Sequence, residues 1–294
     1  AAHGLLAGLA MAATLIHVVG AGGYARSPAV AGVVWGYTAL VAALWLRYRL
    51  LRPLRLRRRP WVVAANRDEG ADTRTLVVQP VGHAGFDFRP GQFAWLNTGP
   101  TPLHAEQHPL SISSSAVPGA ERRLEFSIKA LGDWSRSTVP ALAPGARVWV
   151  DGPFGAFTPD RVAFEGLALI AGGIGIAPLR SMLLTLKDRG DRRPVVLVFA
   201  ARDRSRAMFA DELEALQAQL NLAVVPVYEQ PGPGWTGERG FVTAELLRRH
   251  LPPGAVRWHY FVCGPGPMMA ALERVLADLG VPAGHIHTER FDMV

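Results

Sequence analysis

The eight residues Ala171-Gly172-Gly173-Ile174-Gly175-Ile176-Ala177-Pro178 constrain this chain more than any other stretch. They follow an apolar run, Leu167–Ala171, and lead into a segment with helical periodicity. Glycines permit backbone conformations and close approaches that a side chain forbids. Pro178 suits the first turn of a helix, where an amide N–H would lack a partner anyway. A strand that turns through glycines into a helix brings amides up to an anion such as a pyrophosphate. Alternation continues to the C-terminus. Strands are expected at Leu167–Ala171, Val195–Ala200, Leu222–Tyr228, Tyr260–Cys263 and Ile286–Glu289, and helices at Pro178–Arg189, Met208–Leu220, Thr243–Leu251 and Pro267–Leu279. Residues 163–294 therefore read as a doubly wound α/β domain that binds its ligand at the carboxyl ends of parallel strands.

Upstream the period changes. Short strand-like runs recur at Trp61–Ala65, Thr73–Val81, Gln92–Asn97, Pro109–Ser114, Arg123–Ala130 and Arg147–Val150, punctuated by Gly and Pro, with one helix signal at Trp134–Leu142. That pattern predicts an antiparallel β-barrel over residues 57–160. Asp133 stands where a helix cap is expected. His83 and His104 read as loop histidines, and His250 and His259 as surface or loop residues. His285 and His287 alternate on the terminal strand with no carboxylate or cysteine grouped with them, a poor start for a metal site.

Residues 1–50 are apolar. Gly4–Gly20 and Ala29–Leu46 are each about as long as the roughly 20 residues that cross a bilayer, and Gly22, Gly23 and Pro28 mark a turn between them. A signal peptide is the alternative for the first run, though a basic start is missing. Seven arginines and no acids occupy 47–59, and the other 24 basic residues balance 24 acidic ones. The net charge of +7 is thus one local patch, not a nucleic-acid-binding surface. It predicts a cytoplasmic end for the second span. The single cysteine excludes an internal disulfide and a cysteine-rich metal site. The chain starts inside an apolar segment without Met, as a fragment or a processed chain would. His3 and His17 are 14 positions apart, which returns a helix to within roughly 40° of the same face about 21 Å along its axis. Two such histidines could each offer one axial ligand to a haem, or simply sit at an interface and bond a neighbouring helix.

Four short motifs in order carry a family resemblance: Arg89-Pro90-Gly91-Gln92-Phe93, His108-Pro109-Leu110-Ser111, Lys129 with Gly132-Asp133-Trp134-Ser135, and Gly152-Pro153-Phe154-Gly155. Each alone is an ordinary turn, edge strand or helix cap. Together with the glycine turn, Cys263-Gly264-Pro265-Gly266-Pro267-Met268 and Glu289-Arg290-Phe291, they resemble the dehydrogenase half of the NADPH oxidase and ferric reductase family, within the ferredoxin-NADP reductase superfamily. The resemblance implies an FAD domain followed by an NADPH domain. It implies that Arg89, Gln92, His108, Pro109, Leu110 and Ser111 line the flavin, with Ser111 near its reactive nitrogen. Lys129, Gly132, Trp134 and Ser135 would hold the FAD pyrophosphate. Gly172, Gly173, Gly175, Pro178, Gly264 and Pro265 would hold NADPH, with Cys263 beside the nicotinamide and Phe291 covering the flavin. Arg202 ends the second strand, where a cation favours the 2′-phosphate of NADPH, and Arg206 is placed to assist. The family's haem helices raise the haem reading of His3 and His17, at half of each of two haem b sites.

Two functions follow. The first is a multi-pass flavocytochrome of the inner (plasma) membrane with cytoplasmic FAD and NADPH domains. It would pass electrons from NADPH through FAD and haem to oxygen or ferric iron, and would need haem-binding helices that this sequence does not contain. The second is an FAD-dependent NAD(P)H reductase module without haem, delivering electrons to a partner protein. A nucleotide-binding module without redox activity is the third and weakest reading.

Overall fold

The computed structural model describes residues 2–20, 27–104 and 106–290; within the first helix, the side chains of 2–5, 7, 11, 18 and 19 fall outside that description. Two apolar helices come first, α1 (Ala2–Gly20) and α2 (Pro28–Leu46). Gly8 of α1 faces the Trp45 ring of α2, so the start of one helix lies beside the end of the other. No residue of α2 is buried. The helical path continues through a wider turn at Arg47–Leu51 into α3 (Arg52–Arg57). Among the described residues one helix, Pro28–Arg57, is long and apolar enough to cross a membrane. The expected two-span hairpin therefore reduces, on the described residues, to one candidate span.

The first globular domain is an antiparallel six-stranded sheet in the order β4-β3-β6-β1-β2-β5. Its strands are β1 (Trp61–Gly70), β2 (Thr73–Pro80), β3 (Phe93–Asn97), β4 (His108–Ser111), β5 (Leu124–Lys129) and β6 (Arg147–Phe154). A bridge between Ile112 and Phe126 joins the outer strands β4 and β5 and closes the barrel. Alternate residues point inward, so Leu76, Val78, Ala94, Leu96, Ile112 and Phe126 form a core with essentially no exposure. β1 and β6 run longer than their apolar runs suggest, because β1 bulges at Val63/Ala65 and at Asp68/Gly70 while keeping its pairing with β2. The single helix signal resolves into a wide turn at Trp134–Thr138 and a short α4 (Val139–Ala141).

The second domain is a parallel sheet in the order β10-β9-β8-β7-β11-β12, comprising β7 (Leu167–Gly172), β8 (Val195–Ala201), β9 (Leu222–Tyr228), β10 (Glu238–Arg239), β11 (His259–Gly264) and β12 (Ile286–Arg290). Helices α5 (Ile176–Asp188), α6 (Ala210–Leu216), α7 (Ala244–His250) and α8 (Gly266–Asp278) cross between them. β7 is wholly buried, as a strand covered by helices on both faces must be. One face packs Leu167, Leu169, Leu179 and Phe199; the other packs Ile170, Val198, Leu246 and Leu272. The chain runs outward from β7 to β10 and then returns to β11 on the other side. The order reverses between β7 and β11, which is where such sheets bind ligands.

The two domains are joined by buried polar contacts from one face of α5. Arg180, 7 % exposed, donates from Nη1 to the Glu125 carboxylate of β5 at 2.7 Å and to the Ser113 carbonyl at 3.0 Å. Its Nε and Nη2 grip both oxygens of Glu212 at 2.9 and 3.0 Å. Ser181 donates to the Ser114 carbonyl at 2.6 Å, and the Ala116 amide donates to the Thr185 hydroxyl at 2.8 Å. Burial works to raise the Glu125 carboxyl, but Arg180 and Arg67 outweigh it and hold the group below its ordinary range. Breaking a buried pair strands a charge, at a cost of about 3–5 kcal/mol. Arg180→Leu is expected to lose stability of that order in urea denaturation and to separate the unfolding of the two domains; an unchanged, single transition would show that the contact carries no coupling.

Candidate functional site

The glycine turn sits at the switch point. Gly173 has φ +52°, in the left-handed region that favours glycine, and faces open space. Its neighbours are glycines for a different reason. A Cβ on Gly172 would lie 2.5 Å from the Met268 sulfur, and one on Gly175 would lie 2.1 Å from the Cys263 carbonyl oxygen. A Cβ on Gly264, at the end of β11, would lie 2.9 Å from the Met268 methyl and 3.1 Å from the Gly172 Cα. The turn thus lets β7, β11 and the starts of α5 and α8 converge. Helix α5 begins at Ile176, two residues before the expected Pro178, and Pro178 falls within the first turn, where its missing N–H has no cost.

A cavity of about 400 Å³ opens beside this turn, lined by Gly172, Gly173, Arg202, Glu229, Pro265 and Met268 among others. Arg202 is exposed and receives one contact, from its Nε to the Gln230 side chain at 3.1 Å. Arg206 does not join it: its guanidinium donates to Asp72 of the barrel at 2.7 Å, so a cross-domain ion pair claims the residue expected to assist.

In the barrel, His108 and Ser111 begin and end the strand β4. The Ser111 hydroxyl is buried with no hydrogen-bond partner, and His108 Nε2 has only the Glu106 carboxylate, 3.4 Å away. Buried polar atoms without partners are uncommon in native proteins and call for an explanation. The His108 ring stacks on Trp134 with centroids 3.7 Å apart, and burial, against the pull of Glu106, lowers its pKa. Pro109 and Leu110 are half-buried in the same strand. Arg89 and Lys129 carry no ion pair among the described residues and remain available to an anion. These groups fit FAD: a half-buried strand face, the partnerless Ser111 hydroxyl, and two cations without an ion pair among the described residues.

Two members of the expected set have structural duties. Gln92 accepts from the Arg89 amide at 2.8 Å and donates to the Gly155 carbonyl at 3.0 Å, so both ends of its side chain brace the cleft wall. The Ser135 hydroxyl accepts the amides of Leu131 and Gly132, both at 2.9 Å, and donates to the Gly132 carbonyl. Asp133 makes no capping bond; the serine two residues on takes that role. The Gly132 amide is thus engaged within the turn.

Glu289 belongs to the site although only its place in a terminal motif singled it out. It pairs with Cys263 across β11 and β12. One carboxylate oxygen reaches to 3.8 Å from the point where Gly155 would carry a Cβ, and that same point is 3.1 Å from the Phe93 ring. Phe93 in turn pairs with Ser111. The other oxygen of Glu289 is buried without a partner. Burial pushes this carboxyl up to about 7 and, with Glu289 beside it, raises the wholly buried Cys263 thiol well above its ordinary value. A thiol so raised is no nucleophile.

Phe291 lies outside the described residues, as does the side chain of His3. His17 is exposed on α1, and the described histidines other than His3 and His17 all lie in the two globular domains. The described residues therefore do not assemble a haem site. His259 is buried on β11, not on a loop, with Nδ1 2.9 Å from His287 Nε2 and its ring stacked on His285.

The profile of the oxidoreductase NAD-binding domain family matches residues 169–274. Ferredoxin--NADP reductase B of Sorangium cellulosum (strain So ce56) is 31 % identical over 226 residues, covering 74 % of this chain and 91 % of that protein. The chain belongs to the ferredoxin-NADP reductase superfamily. It is accordingly an NAD(P)H-dependent flavin oxidoreductase with FAD as its flavin. The reductase component of the naphthalene 1,2-dioxygenase/salicylate 5-hydroxylase systems of Ralstonia sp is 30 % identical, over 70 % of this chain and 61 % of that protein. The chain spans about three fifths of that relative's length. The FAD/NAD-binding domain of nitric oxide dioxygenase from Vibrio cholerae O1 biovar El Tor shares the fold, with a TM-score of 0.69 at 24 % identity, covering 79 % of this chain and 98 % of that one.

Protonated Glu289 is the form that burial favours, so its contribution to stability is fully present below about pH 4.5 and is lost as pH rises through about 7. Glu289→Gln is expected to remove that loss: the difference in urea midpoint between variant and parent should grow from pH 5 to pH 8 in the variant's favour. A constant difference would mean that Glu289 does not titrate in this window.

Proposed function

We propose that this chain is the reductase module of an electron-transfer system, taking a hydride from NADPH and delivering electrons to a partner redox protein. The carrying observation is the approach of the two domains at Gly155 and Glu289: Phe93 beside Gly155 pairs with Ser111 in the barrel, and Glu289 pairs with Cys263 in the α/β domain. The names of the relatives agree, for they are reductase components of ferredoxin and oxygenase systems. FAD, when bound, supplies the conversion of a two-electron donor into single electrons, which a nicotinamide cannot provide.

The chain's own residues do the remaining work. Ser111 offers a hydroxyl to the flavin edge, Leu110 and Pro109 give its ring an apolar seat, and Arg89 and Lys129 neutralise its phosphates. Gly173 leaves room for the nicotinamide dinucleotide at the head of α5, and the close packing of Gly172 against Gly264 keeps the ends of β7 and β11 level beneath it. Cys263 fills the floor of the nicotinamide site as an inert thiol. Glu289 holds a proton at the mouth of the cleft near neutral pH. Arg202 meets the 2′-phosphate; the adjoining Glu229 disfavours a second anion there and sets how strict that preference is.

The apolar helix Pro28–Arg57, with none of α2 buried, supports anchoring to the inner membrane with both globular domains on the cytoplasmic side. Transfer through haem to oxygen or ferric iron is the reading that would hold if further helices of the intact protein complete the sites of His3 and His17.

Charge-assisted bonds to phosphate are worth roughly 1.5–3 kcal/mol, about ten- to a hundredfold in affinity. Arg202→Ala is expected to raise KM for NADPH by at least tenfold and leave KM for NADH nearly unchanged, measured with a ferredoxin or cytochrome as one-electron acceptor. Equal efficiency with both nucleotides in the parent would remove the NADPH preference. A parent that oxidises NADPH yet reduces no protein acceptor would remove the reductase-module reading.

A further inference from the structure

A second cavity, of about 490 Å³, lies at the joint between the helical segment and the barrel, lined by residues other than those assigned above to the flavin and the nucleotide. It falls within the roughly 300–1,000 Å³ typical of small-molecule sites. One wall is helical. Tyr48, Leu51, Arg52, Arg55, Leu56 and Arg59 recur at intervals of three and four and so share one face. The other wall is the barrel, with the indole and phenyl rings of Trp61, Trp95 and Phe154.

The charges are lopsided. Arg47, Arg52, Arg55 and Arg59 line the cavity, and the one carboxylate among the lining residues is Asp151. Arg52 is ion-paired to Asp151 and lies over the Phe154 ring at 5.7 Å. His83 spends both ring nitrogens on backbone, Nδ1 on the Gly85 amide and Nε2 on the Pro60 carbonyl. The guanidinium groups of Arg47, Arg55 and Arg59 make no hydrogen bond or ion pair among the described residues. Three unmatched guanidinium groups around an aromatic-walled hollow call for an anion carrying an apolar body. The cavity also begins at the residue where the apolar helix ends: α2 closes at Leu46, and Arg47 is both the next residue and a lining residue. If α2 lies in a bilayer, this places the guanidinium groups at headgroup depth.

We propose that this cavity holds the phosphate headgroup of an anionic phospholipid, with Arg47, Arg55 and Arg59 on the phosphate and the first acyl carbons against Trp95 and Phe154. Arg52, through Asp151, fixes the helix to the barrel and so sets the height of the reductase domains above the membrane. The proposal rests on the anchoring reading of the preceding subsection.

The test uses the full chain reconstituted in nanodiscs of phosphatidylcholine with and without phosphatidylglycerol, followed by native mass spectrometry of retained lipid. Retention of about one phosphatidylglycerol per chain, with little phosphatidylcholine, is expected. In the triple variant Arg47→Gln/Arg55→Gln/Arg59→Gln, that preference should fall by tenfold or more, since each arginine at a membrane surface contributes measurably, while flavin reduction by NADPH persists as the check on folding. Bromine-labelled phosphatidylglycerol should quench the parent more than Trp95→Phe. Equal retention of both lipids, or a triple variant that keeps phosphatidylglycerol, overturns the site. So does displacement of the lipid by excess inorganic phosphate, which would make this a site for a free anion. A chain that associates with neither membrane refutes the anchoring itself; one that inserts in both and retains neither lipid refutes this site alone.

Discussion

The buried guanidinium of Arg180 is the constraint on which the working geometry depends. A hydride moves over a few ångströms, so a nicotinamide held by one domain reaches a flavin held by another only if the domains are fixed in register. Arg180 reaches Glu125 and the Ser113 carbonyl in the barrel while remaining clamped to Glu212 in its own domain. The same stretch that carries Ser111, in the proposed flavin seat, therefore continues, two and three residues later, into the carbonyls that dock α5. Flavin seat and domain contact share one strand exit, so a shift in one moves the other.

Around this frame the cleft is built from absences of side chain and of hydrogen bond. Gly155, with φ +99°, leaves the space into which Phe93 and Glu289 press from opposite domains. The partnerless hydroxyl of Ser111 and carboxylate oxygen of Glu289 carry a desolvation cost of about 1–3 kcal/mol for each neutral group. Such a cost is tolerated where a ligand completes the bonds. A carboxyl that retains its proton near neutral pH beside an inert, wholly buried thiol suits a site where charge must not accumulate on the protein as electrons pass.

The two-domain plan was legible because both domains obey local periodicities: alternation in β2 and β5, and strand–helix alternation from β7 onward. The glycine turn was legible because its residues have local reasons, a left-handed φ at Gly173 and close packing at Gly172 and Gly175. What stayed hidden is long-range. Arg180 and Glu125 are 55 positions apart, and nothing in the helix marks that arginine from others. Arg206 looked free until Asp72, 134 positions away, proved to hold it. Ser135 and Gln92 carried motif signals that implied cofactor contact, yet their hydrogen bonds turn inward to the backbone. His259, expected as a surface or loop residue, is buried because its strand is paired on both sides, to β7 and β12. The two apolar runs look alike in sequence, and among the described residues Pro28–Arg57 stands as the one candidate span.

The central claim is that one chain holds a flavin where its own nicotinamide site can reduce it. The direct measurement is an anaerobic absorption spectrum of the purified chain loaded with FAD, before and after one equivalent of NADPH. The account predicts bound flavin whose absorption bleaches on addition and recovers when an oxidised protein acceptor is supplied. Flavin that is retained but stays oxidised under NADPH would contradict it.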